Sequence, residues 1–151
     1  MNDETAIANL VFRYAELIDS GDFDGIGSLF AHAVITAEGS DVEWRGAAAI
    51  TAMYVDRTRR YDDDGTPKSK HVTTNLIIDV DDERAHATCR SYYTVLQRTD
   101  ELPLQPIVAG RYRDEFARVD GTWRFTHRHM LVDLVGDLSQ HLLFDLRGPT
   151  H

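Results

Sequence analysis

The segment "KSKHVTTNLIID", residues 68–79, decides how the fold is read. It reads as a β-strand with one histidine, His71, at its start, followed by Thr73, Thr74 and Asn75 before an apolar run. The chain keeps this character to residue 135. Long β-rich segments cover 68–80, 84–98, 105–119 and 122–135, separated by the turn signals "DDE", "DELP" and "DG". Four long antiparallel strands are the natural reading.

The chain before residue 68 is mainly helical. Asn2 or Asp3 can cap a first helix, in which Ile7, Leu10, Val11, Tyr14, Leu17 and Ile18 keep the three-and-four spacing of one buried face. Gly21 ends it. "DFDGIGSLFA" places Phe23, Ile26, Leu29 and Phe30 on one side of a short second helix, although its two glycines weaken helix propensity. "AVITAEGSDVEWRG" suggests two short strands around Gly39-Ser40. Gly46 opens a third helix, "AAAITAMYVDRTRRY", with its basic residues in the last turn, where the helix dipole favours them. "DDDGTP" breaks the chain before residue 68. Residues 136–151 form a C-terminal tail whose Leu142, Leu143, Phe144 and Leu146 are expected to pack on the domain or on another subunit.

Helices and then a run of strands argue for an α+β fold, one domain over 1–151, with N-terminal helices packed on a strongly curved, mostly antiparallel sheet. The open end of such a cone suits a small ligand. The chain of 151 residues, 42% hydrophobic, is long enough for one core. A net charge of -9 with scattered basic residues disfavours nucleic acid. Single Cys89 makes no internal disulfide, the N-terminal sequence lacks a signal pattern, and no apolar run reaches the roughly 20 residues of a membrane helix, so a cytoplasmic location is expected.

"RYAELIDSGDFDGIGSLFAHAV", "RGAAAITAMY", "KHVTTNLIID" and "YRDEFARVDGTWRFTHRHM" together resemble the SnoaL-like branch of the NTF2-like superfamily, over about residues 5–135. That fold hosts dehydratases, dehydrohalogenases, ketosteroid isomerases, polyketide cyclases and non-catalytic binders. In the scytalone dehydratases and hexachlorocyclohexane dehydrochlorinases, an aspartate from the first helix region orients a histidine at a strand start. The resemblance puts Asp19 and His71 in those positions. A carboxylate that accepts from one imidazole nitrogen fixes the tautomer and makes the other nitrogen a better base. The simpler alternative is a strand histidine satisfied by a carbonyl and an aspartate at a helix end.

The resemblance to ketosteroid isomerases, more distant, places Tyr14 as a donor to a substrate oxygen, Glu38 as an alternative base and Asp114 as a proton-sharing acid. Each has a structural reading as well: Tyr14 in the core, Glu38 exposed in a turn, Asp114 paired with a neighbour such as Arg128. Tyr14 lies about 140° from Asp19 around a helix, so both can border only a wide pocket. Arg128 either orients a substrate carboxylate or oxyanion or serves a structural pair. Tyr54, Tyr92 and Tyr112 complete the candidate pocket. Strict alternation places His127 and His129 on one face with Trp123, Phe125 and Leu131, and Asp133 shares their parity; with no Cys or Glu in the cluster, no metal is expected. His86, His141 and His151 have no evident partners. The dehydratases' second catalytic histidine would fall near Thr94, Val95 and Leu96, where this chain has none.

The resemblance thus implies a cofactor-independent lyase or isomerase acting on a small apolar or aromatic molecule, with no cofactor. The alternatives are a non-catalytic ligand-binding or accessory subunit, and an isomerase with Glu38 as base. A homo-oligomer, dimer or trimer, is expected, with neither nucleic acid nor membrane as partner.

Overall fold

The computed structural model describes residues 1–146. His151, and with it the end of the tail, lies outside them. Three helices, α1 (Asp3–Asp19), α2 (Phe23–Leu29) and α3 (Gly46–Arg57), pack on one six-stranded sheet. Its strands are β1 (Val34–Ala37), β2 (Trp44–Arg45), β3 (Ser69–Val80), β4 (His86–Thr99), β5 (Leu102–Val119) and β6 (Thr122–Val135), in spatial order β2-β1-β6-β5-β4-β3. Every pairing is antiparallel except β1 with β6. The architecture is α+β, with N-terminal helices on a curved, open sheet. No helix among the described residues is long and apolar enough to cross a membrane.

Asn2 caps α1 by accepting from the Thr5 amide at 2.7 Å, and the helix buries Ile7, Val11, Tyr14, Leu17 and Ile18. Its first turn is pinned to the sheet through Asp3, which accepts from Trp123 Nε1 at 3.0 Å and pairs with Arg84 at 2.9 Å. The glycines of α2 have a packing reason. A Cβ on Gly27 would run into Thr51 and the Ala47 carbonyl, so α2 and α3 approach more closely than any larger residue allows. Helix α3 stops at Arg57, earlier than its basic run suggests. Thr58 is already extended and bridges Leu142, which leaves Arg59 and Arg60 beyond the last turn.

The alternation expected along β6 fails at a bulge. Phe116 faces Phe125, but the next residue of β5, Glu115, faces His127, so Thr126 has no counterpart and the parity of the strand switches. Trp123 and Phe125 are buried, and after the bulge Arg128 takes the inward place. His127 and His129 leave that face. Both ring systems meet Thr36 Oγ1 at 2.8 Å, while Asp133 pairs with Arg111 at 2.8 Å and does not join them. Among the described residues no group of three or more His, Cys, Asp or Glu is placed to hold a metal ion. His86 does have a partner, Asp81 at 3.4 Å.

Arg128 is 0% exposed and forms a bidentate pair with Asp114, its register partner on β5, at 2.8 and 3.0 Å. The guanidinium carbon lies 3.8 Å from the Tyr112 ring centroid and 4.5 Å from that of Tyr14, while Nη1 has no hydrogen-bond partner. Burial works against both charges. Asp114 nonetheless holds the guanidinium above its ordinary pKa, and the ionised pair is the state that fits the bidentate geometry. The ring faces add cation–π attraction. Cys89, beside Asp114 on the neighbouring strand, is buried, and burial pushes its thiol up to about 12.

Removing one charge strands the other. Arg128→Leu is expected to destabilise the fold by about 3–5 kcal/mol in urea denaturation, and the double variant with Asp114→Leu by less than the sum of the two single variants.

Candidate active site

The open end of the sheet and the helices enclose a cavity of about 440 Å³, lined by apolar side chains such as Ile18, Ile35, Met53, Val95 and Val108. His71 reaches this cavity from the start of β3. Its Nδ1 lies 2.7 Å from Asp19 Oδ1, at the last residue of α1. The same carboxylate accepts from Ser69 Oγ at 2.9 Å through Oδ1 and from the His71 backbone amide at 2.8 Å through Oδ2. An aspartate held this way fixes both the place of β3 and the rotation of the imidazole. Nδ1 is the donor in this arrangement, and Nε2, which makes no hydrogen bond among the described residues, is left as the basic atom. Asp19 itself stands behind the histidine and does not line the cavity.

Tyr14, Tyr112 and Glu38 also border the cavity. Tyr14 Oη meets Tyr54 Oη at 2.9 Å, with Tyr54 buried behind it and off the cavity wall. Burial pushes the Tyr14 and Tyr112 hydroxyls well above their ordinary value, so both keep their protons at any physiological pH. Three candidates lie elsewhere. Tyr92 is 51% exposed on the outer side of the sheet, because the inward parity of β4 runs through Cys89, Ser91 and Tyr93. Arg128 and Asp114 sit behind the wall formed by Tyr14 and Tyr112, paired with each other and out of reach of a ligand in the cavity.

The sequence profile of the SnoaL-like domain matches residues 1–129. The chain belongs to the SnoaL-like family. Among solved structures, an NTF2-like protein with a cystatin-like fold from Novosphingobium aromaticivorans is 22% identical over 86% of this chain and 81% of that one, with a TM-score of 0.70. A candidate scytalone dehydratase from the same organism is 21% identical over 89% and 87% of the two chains, with a TM-score of 0.69. ActVI-ORFA from Streptomyces coelicolor is 16% identical over 86% and 96%, also with a TM-score of 0.69. At these identities the likeness is one of fold. No curated protein matches the sequence.

Three residues of this SnoaL-like cavity escape the sequence reading. Tyr93 takes the place expected of Tyr92 and stacks on Tyr112 at 4.4 Å; counting parity forward from Cys89 as an inward residue would have found it. Arg57, the last residue of α3, lines the cavity with its guanidinium over the rings of Trp44 at 5.1 Å and Phe144 at 4.7 Å. His141 comes from the tail, and no local pattern marks it. Leu142, Phe144 and Leu146 line the cavity alongside it, whereas Leu143 is exposed.

His141 is 5% exposed, and burial, reinforced by repulsion from His71, pushes its pKa down from 6.5 to about 4. In the unfolded chain the ring takes up a proton as pH falls through about 6.5, in the folded chain only near 4. The unfolded state therefore binds more protons in that window, so this contribution is whole above pH 6.5 and is lost on acidification toward 4. At about 1.4 kcal/mol per pH unit the loss reaches roughly 3 kcal/mol. Urea denaturation at pH 7.5 and 4.5 is expected to show a smaller acid-induced loss of stability for His141→Gln than for the parent chain.

Proposed function

We propose that the chain is a lyase or isomerase in which His71 removes a proton from carbon and Asp19 holds the imidazole and balances the charge it gains. The observation that carries this reading is the 2.7 Å contact between His71 Nδ1 and Asp19 Oδ1 at the wall of an open, mostly apolar cavity. The family likeness supports the type of chemistry, since a candidate scytalone dehydratase shares the fold.

The steps derive from the placement of the groups. A small apolar or aromatic substrate exchanges water for the aliphatic walls, which raises the strength of every electrostatic contact inside. The carbon-bound proton moves to Nε2 of His71. Its electron pair shifts toward the neighbouring activating group, and the Tyr14 hydroxyl, protonated throughout, can turn from Tyr54 to donate to the developing charge. Either a leaving group then departs from the next carbon, completing an elimination, or the proton returns at another position, completing an isomerisation. Glu38 on the same cavity is the competing base, and an isomerase built on it would not need His71.

The half-reaction can be read without the natural substrate. Deuterium exchange at C1 of 2-tetralone in D2O, monitored by proton NMR, reports proton removal from a bicyclic aromatic ketone. The parent chain is expected to accelerate exchange, and His71→Ala to lose about 100- to 10,000-fold of it, with Glu38→Gln close to the parent. Exchange that survives His71→Ala and disappears in Glu38→Gln would transfer the role to Glu38, and a parent chain without any effect would remove the proposed substrate class.

A further inference from the structure

We propose that His141 is a second substrate contact in the cavity: its ring donates the hydrogen bond that holds a carbonyl oxygen while His71 takes the proton from the adjacent carbon. This rests on the acid–base reading above and narrows its substrate to ketones or related carbonyl compounds.

The backbone around His141 is held firmly. The Arg59 amide donates to the His141 carbonyl at 2.8 Å, Thr58 bridges Leu142, and the Leu143 amide donates to the Arg57 carbonyl at 2.9 Å. One residue earlier, the Gln140 carbonyl accepts from Tyr61 Oη and, at 3.0 Å, from Gln97 Nε2. The side chain has no such support. Its ring lies 6.1 Å from that of His71, centroid to centroid, and lines the cavity, yet it makes no hydrogen bond among the described residues, and Nδ1 is fully buried without a partner. Buried polar groups are nearly always satisfied, because an unmade hydrogen bond there costs stability. Nδ1 is closed off inside the protein, so the nitrogen that can meet a ligand is Nε2. A ring on the cavity wall whose backbone is held while its side chain has no hydrogen bond fits a group whose partner arrives with the ligand.

The separation suits one functional group. With about 2.6–3.2 Å of hydrogen-bond reach at each end, a carbon acid and its carbonyl oxygen can lie between the two rings. The C–H bond breaks, the proton goes to His71 Nε2, the bonding pair becomes the carbon–carbon double bond of the enolate, and the carbonyl π pair moves to oxygen, where His141 donates. A neutral imidazole offers one N–H and adds no charge that would oppose the imidazolium forming on His71. His141 is kept neutral by burial. Of the other polar groups on the wall, Tyr14 shares its hydroxyl with Tyr54, Tyr93 donates to the Leu131 carbonyl and Arg57 lies over the rings of Trp44 and Phe144. Glu38 and Tyr112, like His141, make no side-chain hydrogen bond among the described residues.

The test compares His141→Leu, which removes the donor, with His141→Gln, which keeps an N–H, and with His71→Ala. Two readouts are used: exchange of 2-tetralone, and binding of 2-naphthol, the planar isostere of its enol, by fluorescence. His141→Leu is expected to lower kcat and kcat/KM for exchange together by about 100-fold, with KM little changed. It is also expected to weaken 2-naphthol about tenfold. His141→Gln recovers most of both, and His71→Ala loses exchange but keeps 2-naphthol. Because the leucine replaces a buried unsatisfied polar group, that variant should melt no earlier than the parent, which separates lost contact from lost fold. Parental kcat in His141→Leu beside an inactive His71→Ala overturns the proposal and leaves the His71 reading standing. A fully active His71→Ala overturns the His71 reading instead, and 2-naphthol binding that still falls in His141→Leu keeps His141 as the oxygen contact. If 2-naphthol binds the parent no better than it binds His141→Leu, the role of His141 is refuted whatever the exchange rates show.

Discussion

The carboxylate at the end of α1 ties the helical layer of this protein to its sheet at the cavity, as Asp3 does at the other end of the helix. Asp19 ends α1 and accepts hydrogen bonds from Ser69 Oγ, the His71 amide and His71 Nδ1, three donors at the start of one strand. Docking of the helix and orientation of the imidazole are therefore one interaction. The consequence is geometric: the strand cannot slide relative to the helix without turning the histidine, so the precision of the site is inherited from the fold.

A second fixed point lies behind the tyrosine wall, next to His71, whose ring meets that of Tyr14 edge-on at 6.1 Å. The Arg128–Asp114 pair is shielded by the rings of Tyr14 and Tyr112, whose other edges face the cavity. The rings thus separate a dry charge pair from the ligand space. A positive centre beneath them also makes the tyrosine faces less electron-rich, and their hydroxyls better donors, than in an apolar core.

The fold was largely legible because its signals are local. Apolar spacing in α1, the glycine and aspartate turns and the long β-rich runs each report their own segment, and β3, β4, β5 and β6 begin and end within a few residues of where the turns put them. The Asp19–His71 contact was legible only through resemblance, since nothing in the spacing of residues 52 apart says they meet. What stayed hidden depends on counts of one. The unpaired Thr126 moves Arg128 inward and sends His127 and His129 out, and a parity choice between Tyr92 and Tyr93 decides which ring meets the cavity. His141 depends on a tail folding back to residues 57–59, a long-range pairing that leaves no periodic trace.

The sulfur and amine inventory of the chain bears on what the cavity can tolerate. Proton removal next to a carbonyl, and then loss of a leaving group or return of the proton elsewhere, yields conjugated carbonyl compounds, which are electrophiles toward thiolates and free amines. Cys89, the single cysteine, is buried off the cavity wall with its thiol held protonated near neutral pH, and the two lysines, Lys68 and Lys70, do not line the cavity either. The thiol and the lysine amines, the side chains that such electrophiles attack most readily, are thus kept away from the cavity, and the imidazoles are the nucleophiles left on its wall.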